Sequence, residues 1–361
     1  MITRRFTGVA AAVAISLSLA ACSSSTSGTE TTSAPEGSAP AASASAPAAS
    51  ASPSAAAFPI TITHAFGETT IPAKPERIAA VAWSNHEVPI ALGIVPVGMS
   101  KATWGDDDAD GVLPWVEEAL TALGAQTPVL FDETDGLNFE AVADTKPDVI
   151  LAPYSGLTQE DYDTLSKIAP VVAFPEVAWG ATWEEMVDMS STALGLASEG
   201  AALEADLQAQ VQAALDAHPE LKDKKVLFSY IDPKDMSQIG FYTSHDTRPS
   251  FLANLGMPLP AIVEEMSAGT EEFYTSVSAE EADRFDDVDL FVTYGDAGSD
   301  FVAQLQADPL LSKIPAIKAG AVAILENSTP LAASANPSPL SIGWGIDEYF
   351  ALLAGALKSN S

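Results

Sequence analysis

Cysteine, basic residues and long apolar runs are all scarce in this sequence. Cys22 is the only cysteine among 361 residues, so no disulfide can form within the chain. Lysine and arginine together number 16, against 49 aspartates and glutamates. Such an excess of negative charge repels a phosphate backbone, and we therefore expect no nucleic-acid partner. The apolar run from Val9 to Leu19 is too short to span a bilayer.

Catalytic motifs are also missing. His86-Glu87 is not followed by a histidine at position 90, so the zinc-protease pattern fails, and Gly343-Trp344-Gly345 lacks the third glycine of a dinucleotide fingerprint. The sequence contains no Gly-x-Ser-x-Gly elbow, no phosphate-binding Gly-Lys-Ser/Thr loop and no Cys-x-x-Cys pair. Nothing in the pattern indicates a reaction, and we expect a protein that is not an enzyme.

The N-terminus has the form of a secretory signal. Arg4 and Arg5 precede the apolar run, which ends in Leu19-Ala20-Ala21-Cys22. This ending resembles the lipobox of bacterial lipoproteins, which implies that residues 1–21 are removed and that Cys22 is acylated. The protein would then be exported and lipid-anchored on the outer face of the cell membrane. Residues 22–57, rich in Ser, Ala and Pro, predict a disordered tether.

Beyond the tether, strand-length apolar stretches alternate with segments of helical period, which is typical of α/β units with mainly parallel sheets. Residues 60–71 predict a hairpin centred on Gly67-Glu68, and Ser84 and Glu87 have the spacing of a capping box before a helix at 85–92. The other predicted strands are 77–83, 149–153, 171–174, 226–231, 238–243 and 290–294.

A long helix is predicted at residues 198–218. Leucine or valine recurs there every fourth residue, with no helix breaker before Pro219. This helix would join an N-terminal lobe, 58–197, to a C-terminal lobe, 219–361. A single continuous sheet is the alternative, and the pattern alone leaves it open.

Several ordered runs then resemble the iron-siderophore and cobalamin type of ABC-transporter binding protein, the class III type with a helical backbone. The similarity covers about 77–357. The runs are Ile71-Pro72-Ala73-Lys74-Pro75-Glu76-Arg77-Ile78, Ala91-Leu92-Gly93-Ile94-Val95-Pro96-Val97-Gly98, Lys146-Pro147-Asp148-Val149-Ile150-Leu151, Ile168-Ala169-Pro170-Val171-Val172 and Ala316-Ile317-Lys318-Ala319-Gly320-Ala321-Val322. The resemblance implies two α/β lobes bridged by one long helix, a ligand cleft between them and a membrane permease as partner. We expect a monomer that carries no cofactor.

Aromatic residues occupy the positions where ligands bind in open α/β sheets, just past the strands. Plain core packing is the alternative for each of them, but rings at four strand ends together favour contact with a bulky ferric chelate. The strand-end candidates are Trp83, Tyr154, Tyr230 and Tyr294. The candidates in loops over the same cleft are Trp104, Trp115, Trp179 and Tyr242.

The small number of arginines narrows the ligand class. A triply anionic ferric catecholate would require several arginines, yet only Arg77, Arg248 and Arg284 follow the leader. Arg77 lies in a structural family motif and Arg284 lies between acids, which leaves Arg248 as the cleft arginine. The sequence therefore favours a ferric siderophore of hydroxamate type, such as a ferrioxamine. Haem, cobalamin or a free metal ion are alternatives.

Other acidic and histidine residues suggest further roles. The resemblance implies that Glu160 and Glu280 pair with arginines of the permease, although a solvated face would account for both. An EF-hand calcium loop is suggested by the spacing of Asp106, Asp108, Asp110, Gly111 and Glu117. Pro114 and Trp115 are unusual in such a loop, and no helix is predicted to enter it, so both observations argue against calcium binding. A three-histidine metal site is disfavoured because the four histidines are far apart, whereas Tyr154 or His86 could serve as an axial haem ligand. The histidines are His64, His86, His218 and His245.

Overall fold

The computed structural model of the protein describes residues 57–296 and 300–358. The predicted signal peptide, Cys22 and nearly all of the tether lie outside these residues. The described chain begins with an antiparallel hairpin of β1 (Ile60–His64) and β2 (Gly67–Ile71). Pairing of His64 with Gly67 places the turn at residues 65–66, two positions before the predicted centre.

The first lobe is built on a parallel sheet in the order β5-β4-β3-β6-β7. Its strands are β3 (Ile78–Ala80), β4 (Gly98–Ser100), β5 (Val129–Phe131), β6 (Val149–Leu151) and β7 (Val171–Val172). Its helices are α1 (Glu87–Ala91), α2 (Pro114–Ala122), α3 (Phe139–Asp144), α4 (Gln159–Leu165) and α5 (Trp183–Ala193). Strands β3, β6 and β7 are buried on both faces, as expected for a parallel sheet covered by helices, whereas the edge strand β5 exposes Val129.

One prediction for this lobe is wrong. Ser84 and Glu87 do not form a capping box, because Ser84 adopts a left-handed conformation with φ of 57° and the helix begins only at Glu87, with His86 as its N-cap. The Glu87 side chain turns into the core instead, where it is fully buried. A side chain that bonds elsewhere cannot reach back to the helix start.

The linking helix is α6 (Ala197–Asp216), whose 20 residues span about 30 Å. It packs against α5 and against the C-terminal helix. Gly200 permits the close approach to α5, since a Cβ at that position would lie 2.0 Å from the Ser191 hydroxyl oxygen. The helix ends two residues before the predicted end at His218, because a residue that precedes a proline is disfavoured in the helical conformation.

The second lobe is built on a mixed sheet in the order β10-β9-β8-β11-β12, in which β8, β11 and β12 are parallel. Its strands are β8 (Val226–Asp232), β9 (Asp235–Tyr242), β10 (Tyr274–Ser278), β11 (Leu290–Gly295) and β12 (Val322–Glu326). Its helices are α7 (Thr247–Asn254), α8 (Ala261–Ser267), α9 (Phe301–Ala307), α10 (Pro315–Ala319), α11 (Pro330–Ser334) and α12 (Ser341–Lys358); short 3-10 helices lie at Pro219–Leu221, Ala279–Phe285 and Leu311–Lys313.

The α/β fold class, with two lobes and sheets of mainly parallel strands, is thereby confirmed. Each lobe has its own sheet, so the alternative of one continuous sheet does not apply to the described chain. Among the described helices, none is both long and apolar enough to cross a membrane.

Candidate ligand cleft between the lobes

Both sheets have a topological switch point, where successive connections leave in opposite directions and where a crevice forms at the carboxyl ends of the strands. In the first lobe this point lies between β3 and β6. The buried Asn85 ties the two strand ends together. Its amide nitrogen donates to the Val81 and Tyr154 carbonyl oxygens at 2.7 and 2.8 Å, and its oxygen accepts from the Tyr154 amide at 2.9 Å. Tyr154 is therefore held firmly at the crevice.

In the second lobe, Arg248 is neutralised by a buried partner. Asp246 is fully buried at the N-cap of α7, where it accepts the backbone N–H of Arg248. The guanidinium group donates to the two carboxylate oxygens of Asp246 at 2.8 and 2.7 Å. The Arg248 side chain is only 15% exposed, so its positive charge is compensated within the wall.

Aromatic rings surround this ion pair. The Arg248 guanidinium carbon lies 3.7 Å from the centre of the Tyr242 ring, and the group also donates to the Tyr294 hydroxyl at 3.3 Å. Phe228 contacts both tyrosine rings, and Trp104 meets Tyr294 edge to face at 5.5 Å. Four predicted residues thus form one surface: Trp104, Tyr242, Arg248 and Tyr294.

Tyr154 lies in the first lobe and contacts residues of the second lobe. Its hydroxyl accepts a hydrogen bond from the Asn336 amide at 2.9 Å and lies 3.4 Å from the Thr247 hydroxyl, both in the second lobe. Trp179 packs edge to face against the Tyr154 ring at 5.3 Å. Neither Thr247 nor Asn336 was predicted from the sequence, because neither is aromatic or charged.

Burial moves the phenol groups of the wall further from ionisation. It raises the pKa of Tyr242 to about 12 and also raises the pKa values of Tyr154 and Tyr294. At neutral pH all three therefore retain their hydroxyl protons. A neutral phenol can donate a hydrogen bond to an oxygen-rich ligand, which a phenolate cannot do.

Four predicted residues are placed differently from the expected positions. Tyr294 lies within β11 rather than past its end. Tyr230 lies within β8 rather than past its end and is 41% exposed. Trp115 belongs to helix α2 rather than to a loop and is buried, and its indole N–H donates to Glu87 at 2.8 Å. Tyr242 is the last residue of β9, not a loop residue. Trp83 is half-buried in the loop after β3, as its position in the sequence predicts.

Glu133 is a functional candidate that the sequence did not reveal. It follows β5, and its carboxylate accepts from the Ala82 amide at 3.0 Å and from the Ser100 hydroxyl at 2.9 Å. It therefore joins the carboxyl ends of three neighbouring strands in the first lobe. Burial raises its pKa. Its position past a strand was the available signal, but the prediction considered only aromatic and arginine residues there.

The acidic loop at residues 106–117 is folded by its own carboxylates. Asp106 accepts from the backbone amides of Asp108, Ala109 and Gly111 at 2.7–3.1 Å. Oxygen atoms of Asp106, Asp108 and Asp110 lie within 4.8 Å of one another, and Glu117 stands outside this group. Gly105, directly before the loop, contacts the second lobe, because its amide donates to the Ser328 hydroxyl at 3.4 Å.

Glu160 and Glu280 lie on different lobes, and both are exposed. Glu160 is in the first turn of α4, and the amide of Glu280 donates to the Ser278 hydroxyl at the start of a 3-10 helix. Neither carboxylate forms an ion pair within the described residues. Both are therefore available to a partner.

Two α/β lobes, one linking helix and an aromatic cluster where the lobes meet are typical of a solute-binding protein. The chain belongs to the periplasmic binding protein family, whose model matches residues 78–329. The family resemblance of the sequence motifs is thereby confirmed. The family and the solved neighbours are solute-binding proteins rather than enzymes.

Known proteins resemble this chain to different extents. The crystal structure of Streptococcus pneumoniae TIGR4 PiaA in complex with ferrichrome has 49% sequence identity and a TM-score of 0.80, covering 84% of this chain and 100% of PiaA. A periplasmic solute binding protein from Mycobacterium smegmatis has 26% identity and a TM-score of 0.65, covering 82% of this chain and 98% of its own. The probable siderophore-binding lipoprotein YfiY of Bacillus subtilis is 33% identical over 154 residues, 42% of this chain. That match spans only 43% of YfiY.

Proposed function

We propose that this protein is the extracytoplasmic binding lipoprotein of an ABC transporter and that it captures a ferric siderophore of hydroxamate type. The observation that carries the proposal is the aromatic wall around a neutralised arginine. Three hydroxamate anions balance the charge of Fe(III), whereas three catecholate dianions leave a triply negative complex. A wall whose only arginine is already paired with Asp246 suits the neutral chelate. The similarity to PiaA, which was crystallised with ferrichrome, supports the same ligand class.

Binding is proposed to occur between the lobes. The partly buried rings of Trp104 and Tyr242 offer flat apolar surface to the chelate, with the buried Tyr294 packed against Trp104, and their polar atoms can donate to its oxygens. The hydrogen bonds from Tyr154 to the second lobe hold the two walls together. A single helix links the lobes, and we propose only a small hinge motion on binding.

A fluorescence titration tests the ligand class. The sequence has six tryptophans, of which Trp104 lies directly in the wall, so a bound ferric chelate should quench the emission. We expect saturable quenching by ferrichrome and by ferrioxamine, and none by a ferric catecholate, haem, cobalamin or free Fe(III). A response to the catecholate alone would overturn the argument from charge while leaving the transport role intact. No response to any compound would overturn the ligand class.

Replacing Tyr154 by phenylalanine tests the contact between the lobes. Tyr154→Phe removes the acceptor of the Asn336 amide, and we expect a loss of about 1 kcal/mol in unfolding free energy. Affinity for ferrichrome should fall several-fold, because the hydrogen bond that Tyr154 contributes between the lobes is lost. Tyr162→Phe is the matched control, since its hydroxyl contacts Thr69 and His64, which both lie in the first lobe. Equal affinities for the two variants would contradict a role for Tyr154 in joining the lobes.

Anchoring and docking complete the proposed function. We propose that Cys22 carries the lipid that holds the protein at the outer face of the membrane, and that Glu160 and Glu280 pair with basic residues of the permease. The double variant Glu160→Lys, Glu280→Lys should bind ferrichrome normally but support much slower iron uptake in cells. Glu118→Lys, which alters an exposed residue of α2, is the control and should leave uptake unchanged. Normal uptake by the double variant would contradict the docking assignment.

A further inference from the structure

A cavity of about 310 Å³ lies beside the linking helix, apart from the aromatic wall. We call it the hinge cavity. Its lining comes from the start of α5 in the first lobe, the middle of α6, and α7 with Pro337 in the second lobe. Its size falls within the range of small-molecule sites. A molecule bound there would touch both lobes and the helix that joins them.

The hinge cavity has an apolar floor and a single charged group. Trp183, Val211 and Phe251 are all at least nine-tenths buried and form the floor. Glu184 is the only charged residue in the lining. Within the described residues no lysine, arginine or histidine pairs with its carboxylate, whose neighbouring donors are its own backbone amide and the Thr182 side chain.

The surroundings of Glu184 disfavour its ionised form, so a cation bound beside the carboxylate would stabilise it. Burial raises its pKa, and the negative charges of Glu204 and Glu185 add to that effect. The two glutamines of the lining are already engaged, because Gln208 donates to Glu204 and Gln212 donates to Asp216. No cationic side chain of the described residues therefore balances the Glu184 carboxylate in the cavity.

We propose that the hinge cavity is a second binding site, which takes a small organic ammonium ion. The ammonium group pairs with the Glu184 carboxylate, and the apolar body of the molecule packs on Trp183 and Phe251. A charge-assisted hydrogen bond in a partly desolvated site is stronger than one between neutral groups, which makes the charge decisive for recognition.

The hinge cavity also shares a wall with the cleft. Thr247 lines the cavity, and its hydroxyl contacts Tyr154 and bonds to Asn336. Pro337, the next residue, lines the cavity as well. A bound ammonium ion would therefore stabilise the same contact between the lobes that holds the chelate. By linkage, each ligand should change the affinity of the other by the same factor. This coupling, unlike the ammonium site itself, rests on the proposed function.

Calorimetric titration with benzylammonium and with its uncharged counterpart, benzyl alcohol, tests the site without any chelate. We expect the protein to bind benzylammonium about tenfold or more tightly than the alcohol, and Glu184→Gln to abolish this preference. Glu140→Gln, an exposed change on α3, is the control for loss of one negative charge and should retain it. Asn254→Phe, which fills the exposed mouth, should block binding while leaving Glu184 in place. Absence of saturable benzylammonium binding, or an unchanged preference in Glu184→Gln, would overturn the proposal.

A second titration separates this site from the cleft. With ferrichrome already bound, benzylammonium should still bind, and its affinity should change by the factor that it imposes on ferrichrome. Mutual exclusion would overturn the assignment of the cavity as a separate site, and unchanged affinities would overturn the coupling. Failure of ferrichrome to bind would contradict the proposed function alone, because the benzylammonium result stands without it.

Discussion

Asp246→Asn is expected to lower the unfolding free energy by about 3 kcal/mol, because it breaks a buried ion pair from one side. The Asp246 side chain is 1% exposed and accepts from two nitrogens of the Arg248 guanidinium. Asparagine keeps one acceptor oxygen but turns an amide N–H₂ toward a group that can only donate. The buried positive charge of Arg248 is then left without compensation. Chemical denaturation of the variant and the unaltered protein measures this loss.

The same substitution should change which chelates bind. With Asp246 neutral, the Arg248 charge becomes available to the cleft, and the affinity for a triply anionic ferric catecholate should rise relative to ferrichrome. We expect the ratio of the two affinities to shift by about tenfold or more, since unscreened charges interact strongly in a partly desolvated cleft. An unchanged ratio would mean that the ligand does not sense Arg248.

Asp287→Asn provides the matched control in the same lobe. Asp287 pairs with Lys225 at 2.6 Å, but these side chains are 25% and 35% exposed. Solvent screens such a pair, and its loss should cost about 1 kcal/mol or less, with no effect on chelate preference. Equal losses for Asp246→Asn and Asp287→Asn would contradict the argument from burial.

The sequence could predict features that depend on local periodicity. Helix α6 was predicted within two residues at either end, because its buried Leu207 and Val211 follow a four-residue spacing. Strands β4 and β5 are as short as β3 and β6, but they lack the longer apolar stretches that marked residues 77–83 and 149–153. β10 contains mostly Thr and Ser and gives no apolar run. Such strands form because neighbouring strands pair with them, which is a property of the tertiary structure.

Some residues of the candidate site could likewise be predicted from the sequence, and others could not. Arg248, Tyr242 and Tyr294 were predicted from residue type and position, and the structure brings them into contact. Asp246 was not predicted, because only its burial beneath Arg248 distinguishes it from the other acids. Asn336 is 182 residues away from Tyr154, and no local sequence pattern predicts the hydrogen bond between them. Contacts between residues that are distant in sequence and of common types can be identified only in the folded structure.

Glu87 shows how a local pattern can mislead. Its spacing from Ser84 favours a cap, yet its carboxylate accepts from the Trp115 indole, 28 residues along the chain, and from the Leu340 amide, 253 residues along, each at 2.8 Å. Leu340 directly precedes α12. Glu87 therefore connects the first helix of the first lobe to the start of the last helix.

The buried position of Glu87 predicts a pH dependence of stability. Desolvation raises its pKa from 4.5 to about 7, although hydrogen bonds with Ser338, Trp115 and Leu340 oppose the shift. The neighbouring His86 supplies no positive charge, because burial lowers its pKa to about 4. The folded protein thus holds a proton on Glu87 at pH values where the unfolded chain has released it.

The sign follows from proton linkage. Between pH 4.5 and about 7 the folded state binds more protons at Glu87 than the unfolded state, so stability falls as the pH rises through this window. The stabilisation from the proton on Glu87 is complete below pH 4.5 and is lost above about pH 7. A difference of this size between the folded and unfolded pKa values corresponds to about 3 kcal/mol of unfolding free energy.

Glu87→Gln isolates this contribution, because glutamine has nearly the same shape and does not titrate. We expect the unfolding free energy of the unaltered protein, minus that of Glu87→Gln, to decrease by about 3 kcal/mol between pH 4.5 and pH 7.5. Glu118→Gln, on the exposed face of α2, should give a difference that is flat across the same range. A flat difference for Glu87→Gln as well would mean that its carboxyl stays ionised in the core. The donors from Trp115, Ser338 and Leu340 would then outweigh its desolvation, and the junction between α1 and α12 would be stabilised by a buried charge.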